Sequence, residues 1–69
     1  MDDLKIDFSI VIPAYNEAGV IGAVLRRLVE ELKGHHYELL VVDDGSSDQT
    51  AAQAGAVDPC VRVVRHPYN

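Results

Sequence analysis

The chain has 69 residues, 48% hydrophobic and 25% charged, the composition and length of one globular domain. Lys and Arg number 6 against 11 Asp and Glu, and the resulting net charge of −5 excludes a nucleic-acid duplex held by neutralising many phosphates. The longest apolar stretches, Ile10-Val11-Ile12-Pro13-Ala14 and Leu39-Leu40-Val41-Val42, are far shorter than the ~20 residues that span a bilayer.

The start, Met1-Asp2-Asp3-Leu4-Lys5-Ile6-Asp7, is acidic and has no basic region followed by an apolar one, so it does not read as a secretory signal. Residues 1–6 are expected to form a flexible N-terminus. A single cysteine, Cys60, excludes an internal disulfide framework and fits a cytoplasmic chain with reduced thiols.

Residues 7–13 predict a strand, because Ile10, Val11 and Ile12 are β-formers in a run and Pro13 then removes a ladder donor. Ala14-Tyr15-Asn16-Glu17-Ala18-Gly19 reads as a short loop. Val20, Ile21, Val24, Leu25, Leu28, Val29 and Leu32 then recur at helical spacing, predicting a helix from about residue 17 or 18 to 33. Glu17 would sit at the positive end of its dipole, and Lys33-Gly34 would supply a cation and a C′ glycine.

Tyr37 to Val42 predicts a second strand, followed by the turn chemistry of Asp43-Asp44-Gly45-Ser46-Ser47-Asp48. A shorter helix from Asp48 or Gln49 to about Ala54 is expected, capped by Ser47 or Asp48 and stopped by Gly55. Cys60 to Arg65 alternates, with Val61 and Val63 on one face and Arg62 and Val64 on the other, as a third strand nearer an edge would.

The order is βαβαβ, a Rossmann-like α/β arrangement with a parallel sheet and right-handed crossovers. If the third strand lies beyond the second, both helices cover one face and leave the other bare, although the first two strands are apolar on both sides. A homodimer through that face, or a longer parent polypeptide, would cover it. The ending at His66-Pro67-Tyr68-Asn69, with no closing element, favours a single partial domain over residues 1–69.

In an open parallel sheet, ligands bind outside the carboxyl ends of the strands. Here two neighbouring loops bring together Pro13, Ala14, Tyr15, Asn16 and Glu17 with Asp43, Asp44 and the Gly-Ser-Ser-Asp run. An aromatic ring beside carboxylates suits a planar base and hydrogen bonds from its ring N–H or from ribose hydroxyls. No G-x-G-x-x-G or G-x-x-x-x-G-K-[ST] loop is present, which disfavours dinucleotide folds and P-loop NTPases.

Ser9-Ile10-Val11-Ile12-Pro13-Ala14-Tyr15-Asn16-Glu17, followed by Glu38-Leu39-Leu40-Val41-Val42-Asp43-Asp44-Gly45-Ser46-Ser47-Asp48-Gln49-Thr50, resembles the opening of family 2 glycosyltransferases, nearest to the dolichyl-phosphate mannose synthase-like branch. The resemblance covers the chain from about Phe8 to Asn69 and implies the N-terminal part of a GT-A nucleotide-sugar-binding fold. It implies that Pro13, Ala14, Tyr15 and Glu17 line the base and ribose of a GDP- or UDP-sugar, with Asp43 and Asp44 both in the pocket.

The family's Mg²⁺ or Mn²⁺ is held by an Asp-x-Asp motif after a fourth strand; this sequence has none, and it contains no candidate catalytic base. The expectation is therefore nucleoside binding without cofactor or transfer by this chain alone. In the complete enzyme the sugar would pass to a lipid-phosphate or saccharide acceptor, at the cytoplasmic face of a membrane if missing segments anchor it there.

Plainer readings stand beside these. Tyr15 and Glu17 could be a packed loop aromatic and a helix-starting carboxylate, a balance the resemblance reverses, and Asp43-Asp44 mere turn formers, although two adjacent acids after a buried strand are unusual enough to prefer function. Ser46, Ser47 and Asp48 are read as helix-capping residues, His35, His36 and His66 as solvated turn residues, Cys60 as a part-buried strand residue, and Arg65 as a local ion-pair partner. Rival functions are a non-catalytic nucleotide-binding or dimerisation module, and a phospho-receiver built on Asp43-Asp44. The latter fits worse, because a receiver's acids follow its first strand.

Overall fold

The computed structural model describes residues 6–67, so of the flexible N-terminus expected over residues 1–6 all but Ile6 lies outside the described residues. The elements alternate as β1 (Phe8–Ala14), α1 (Ile21–Glu31), β2 (Tyr37–Asp44), α2 (Thr50–Gly55) and β3 (Val61–His66). The sheet has the order β1-β2-β3, and both pairings are parallel. This is the expected Rossmann-like βαβαβ arrangement.

Element ends differ from the sequence expectation for identifiable reasons. β2 runs past Val42 because Asp43 pairs in register with Ala14 on one side and Arg65 on the other, and Asp44 pairs with His66. Both acids therefore belong to a strand and not to the turn, which begins at Gly45 with a φ of 80°. α1 starts at Ile21, not at residue 17 or 18, because Gly19 has a φ of 87°, outside the right-handed helical region. Glu17 thus precedes the helix, and its carbonyl accepts the N–H groups of Val20 and Ile21. α1 ends at Glu31, not at 33: Leu32 is its C-cap, so Lys33 lies outside the last turn and Gly34 is not the C′ residue, although Gly34, with a φ of 87°, does turn the chain toward β2.

Strand alternation sorts the side chains. Leu39 and Val41 of β2 join Ala14, Val61, Ile21, Leu25 and Ala54 in one buried cluster, so both helices cover the same face. Sequential order with right-handed crossovers requires this. Leu25 and Leu39 are fully buried, each contributing about 1.5–3 kcal/mol of apolar transfer free energy. The helical stripe is narrower than its sequence suggests, since Val20 and Val24 are exposed. On the other sheet face Val11 is 58% and Val64 42% exposed, and Leu40 and Val42 are half-buried.

At the amino ends of the strands, Phe8 stacks on Tyr37, whose hydroxyl lies 3.5 Å from the Cys60 sulfur. That contact and burial push the Tyr37 phenol up to about 12. Burial likewise raises the Cys60 thiol, which suits the packing role read for it and not a nucleophile. Among the described residues no helix is long and apolar enough to cross a membrane.

Candidate functional site

The carboxyl ends of β1 and β2 carry the two loops that the sequence brings together, and hydrogen bonds join them residue by residue. The main-chain N–H of Asn16 donates to Ser46 Oγ (2.8 Å), Glu17 to Thr50 Oγ1 (2.8 Å), Ala18 to Asp48 Oδ2 (3.2 Å) and Gly19 to Gln53 Oε1 (2.8 Å). In return, Asn16 Oδ1 accepts the Ser47 N–H at 2.9 Å. Four successive donors of the loop after β1 are thus consumed within the protein and are not free to cradle an anion.

Side-chain chemistry explains why the clamp holds. Thr50 is fully buried, so its hydroxyl must both accept and donate; it accepts from Glu17 and donates to Asp48 Oδ1. Asp48 also accepts the Thr50 N–H. These bonds, the Thr50 hydroxyl first, hold the Asp48 carboxyl below its ordinary range. Asn16 takes a φ of 50°, a left-handed conformation that asparagine tolerates better than most residues.

The sequence-predicted site residues separate into two groups. Pro13, Tyr15 and Glu17 are exposed, Tyr15 by 49%, and Ala14 is buried under the edge. Asp44 is half-exposed at the end of β2. Asp43 faces the helices: it is fully buried, Oδ1 accepts the Ser46 N–H at 3.2 Å, and Oδ2 lies 3.4 Å from Arg65 Nε. Apart from that ion pair Oδ2 has no hydrogen-bond partner. Adjacent strand residues point to opposite faces, so the acidic pair does not form one two-carboxylate surface.

Asn16, Ser46, Asp48, Thr50 and Gln53 were not among the predicted site residues, yet they set the shape of this edge. The capping role read for Asp48 holds in part, because it binds the Thr50 N–H, but Gln49 occupies the helix N-cap position and makes no side-chain cap bond. The usable signal was the spacing Ser46, Asp48, Thr50: three short acceptors at alternate positions just after a buried strand. Arg65 forms the local ion pair expected of it, with Asp43. His66 lies in β3, not in a turn, with its Nδ1 3.7 Å from Asp44 Oδ1.

A hollow of about 340 Å³ lies between the two helices, lined by Gly19, Gly22, Ala23, Arg26, Gln53 and Ala56. None of the predicted site residues lines it, so the candidate site is an open strand edge and not this cavity.

Residues 9–69 match the model of the family described as Glycosyl transferase family 2. The chain belongs to this family. It is 45% identical over 65 residues, 87% of its length, to the undecaprenyl-phosphate 4-deoxy-4-formamido-L-arabinose transferase of Shewanella sediminis, of which it covers 20%. It is 46% identical over 52 residues, 71% of its length, to the dolichyl-phosphate beta-glucosyltransferase of Saccharomyces cerevisiae, of which it covers 16%. A third relative, the undecaprenyl-phosphate 4-deoxy-4-formamido-L-arabinose transferase of Sodalis glossinidius, is 53% identical over 53 residues, 71% of the chain and 16% of the relative. The family 2 chain thus spans about a fifth or less of the length of these relatives. Its parallel sheet, with a helix between successive strands, is the Rossmann-like part of a GT-A fold.

Proposed function

We propose that this edge binds the nucleoside of a nucleotide-sugar donor, as part of a glycosyltransferase that delivers the sugar to a lipid-phosphate acceptor at the cytoplasmic face of a membrane. The observation that carries the reading is the juxtaposition of Tyr15 and Asp44. Each follows the in-register pair Ala14 and Asp43 by one residue, and each is exposed or half-exposed at the carboxyl edge. A ring for stacking and a carboxylate for accepting a base N–H answer the two demands of a nucleobase. Pro13 and Glu17 flank this surface, while Ala14 and Asp43 support it from beneath. The lipid-phosphate acceptor is supported by the names of the relatives, which pair a transferase with undecaprenyl phosphate or dolichyl phosphate.

With the four loop N–H groups already occupied, the loops hold the nucleoside and not the diphosphate. The divalent cation of the family has no ligand set among the described residues, and the sequence has no Asp-x-Asp. The 69 residues alone bind weakly, with Kd on the order of millimolar, and transfer no sugar. Titration with UDP and GDP, followed by amide chemical shifts, tests this: perturbations are expected near Tyr15, Glu17 and Asp44. Shifts spread evenly over the chain, or none, would remove the proposal.

A further inference from the structure

We infer that His66 is a further binding-specificity residue of the donor site, and that its imidazolium form competes with the nucleobase for the Asp44 carboxylate. The inference rests on the nucleoside reading above. Asp44 and His66 are register partners on adjacent strands, so strand geometry holds their side chains on the same sheet face at the carboxyl edge. Both side chains are about half exposed, 51% for Asp44 and 58% for His66.

The separation of 3.7 Å between His66 Nδ1 and Asp44 Oδ1 is too long for a neutral hydrogen bond and short enough for an ion pair. A neutral ring therefore leaves the carboxylate free to accept from a base N–H, and a protonated ring occupies it. Of the other charged groups near this edge, Glu17 flanks the surface without an ion pair among the described residues, and Asp48 is engaged with Thr50 and Ala18. Arg65 is on the opposite face with Asp43, and Arg62, on the same face as His66, pairs with Glu38 at 2.9 Å toward the other end of the strands. Among the described residues Asp44 is the only ion-pair partner of His66.

Nucleoside affinity should then fall as the pH is lowered and the ring takes up a proton. The test uses uridine and guanosine, which carry no phosphate of their own to titrate, added to the 69-residue chain and followed by amide shifts. Between about pH 8 and about pH 5.5 the apparent Kd is expected to rise about tenfold, as the competent fraction shrinks. His66→Gln, an exposed substitution that cannot be protonated, should bind with the same affinity at both pH values.

The unmodified chain gives the reciprocal readout: bound nucleoside should move the His66 ring titration to lower pH. A pH-independent affinity, an equal fall in His66→Gln, or a ring titration unmoved by nucleoside overturns the inference and leaves the nucleoside reading intact. No binding at either pH overturns the nucleoside reading, and this inference with it.

Discussion

Asp43 and Asp44 are adjacent in the chain but differ in every physical respect that governs a carboxylate. Asp43 is fully buried, holds the Ser46 N–H and meets Arg65, so its removal strands a buried donor and frees a paired cation. Asp43→Ala is expected to cost about 1–3 kcal/mol of stability, read by urea unfolding, with any loss of nucleoside affinity following from the disturbed loop. Asp44 is half-exposed, and Asp44→Asn should leave stability within about 0.5 kcal/mol while weakening nucleoside binding. Equal stability losses for the two variants would contradict this division. The sequence announced the acidic pair but not its split, because Asp-Asp-Gly reads as a turn until the strand is seen to continue through both residues.

Among the elements, α2 and the loop that leads into it matter less for their length than for what they offer to the loop before α1. Thr50, Asp48 and Gln53 accept three of the four consecutive loop N–H groups, and Ser46 the fourth. Thr50→Val keeps the shape and removes the hydroxyl, so it should cost about 1–3 kcal/mol and speed hydrogen exchange at the Glu17 amide specifically. The clamp also has an acid limit. The carboxyl of Asp48 is held below its ordinary value in the folded state, chiefly by the Thr50 hydroxyl. Its contribution is therefore complete above that value and lost as pH falls through the lower, folded one. Asp48→Asn should flatten the acid limb of the stability curve below about pH 4, and an unchanged limb would count against the clamp.

The strands and α1 were legible because their signals are periodic: runs of β-formers, a three-four stripe, and glycines at the turns. The clamp was not, because it is made of contacts some 30 residues apart in sequence between short polar side chains, each of which has a sufficient local explanation as a cap or turn former. The same limit explains the start of α1, where a stripe that begins at Val20 cannot reveal that Gly19 has left the helical region.

For the whole molecule, one sheet face is built and the other exposes Val11 and Val64, so a ligand has two contrasting surfaces to choose from. The carboxyl edge has shape fixed by the clamp, and polar groups to satisfy a base; the middle of the open face, at Val11, Leu40, Val42 and Val64, offers apolar area alone. The most direct test is the map of amide shifts produced when uridine is added to the chain at neutral pH. Saturable changes confined to Tyr15, Asn16, Glu17, Asp44 and His66 are expected. Changes centred on Val11, Leu40, Val42 and Val64 instead would place the nucleoside on the middle of the uncovered face, away from the carboxyl edge, and contradict the proposed site.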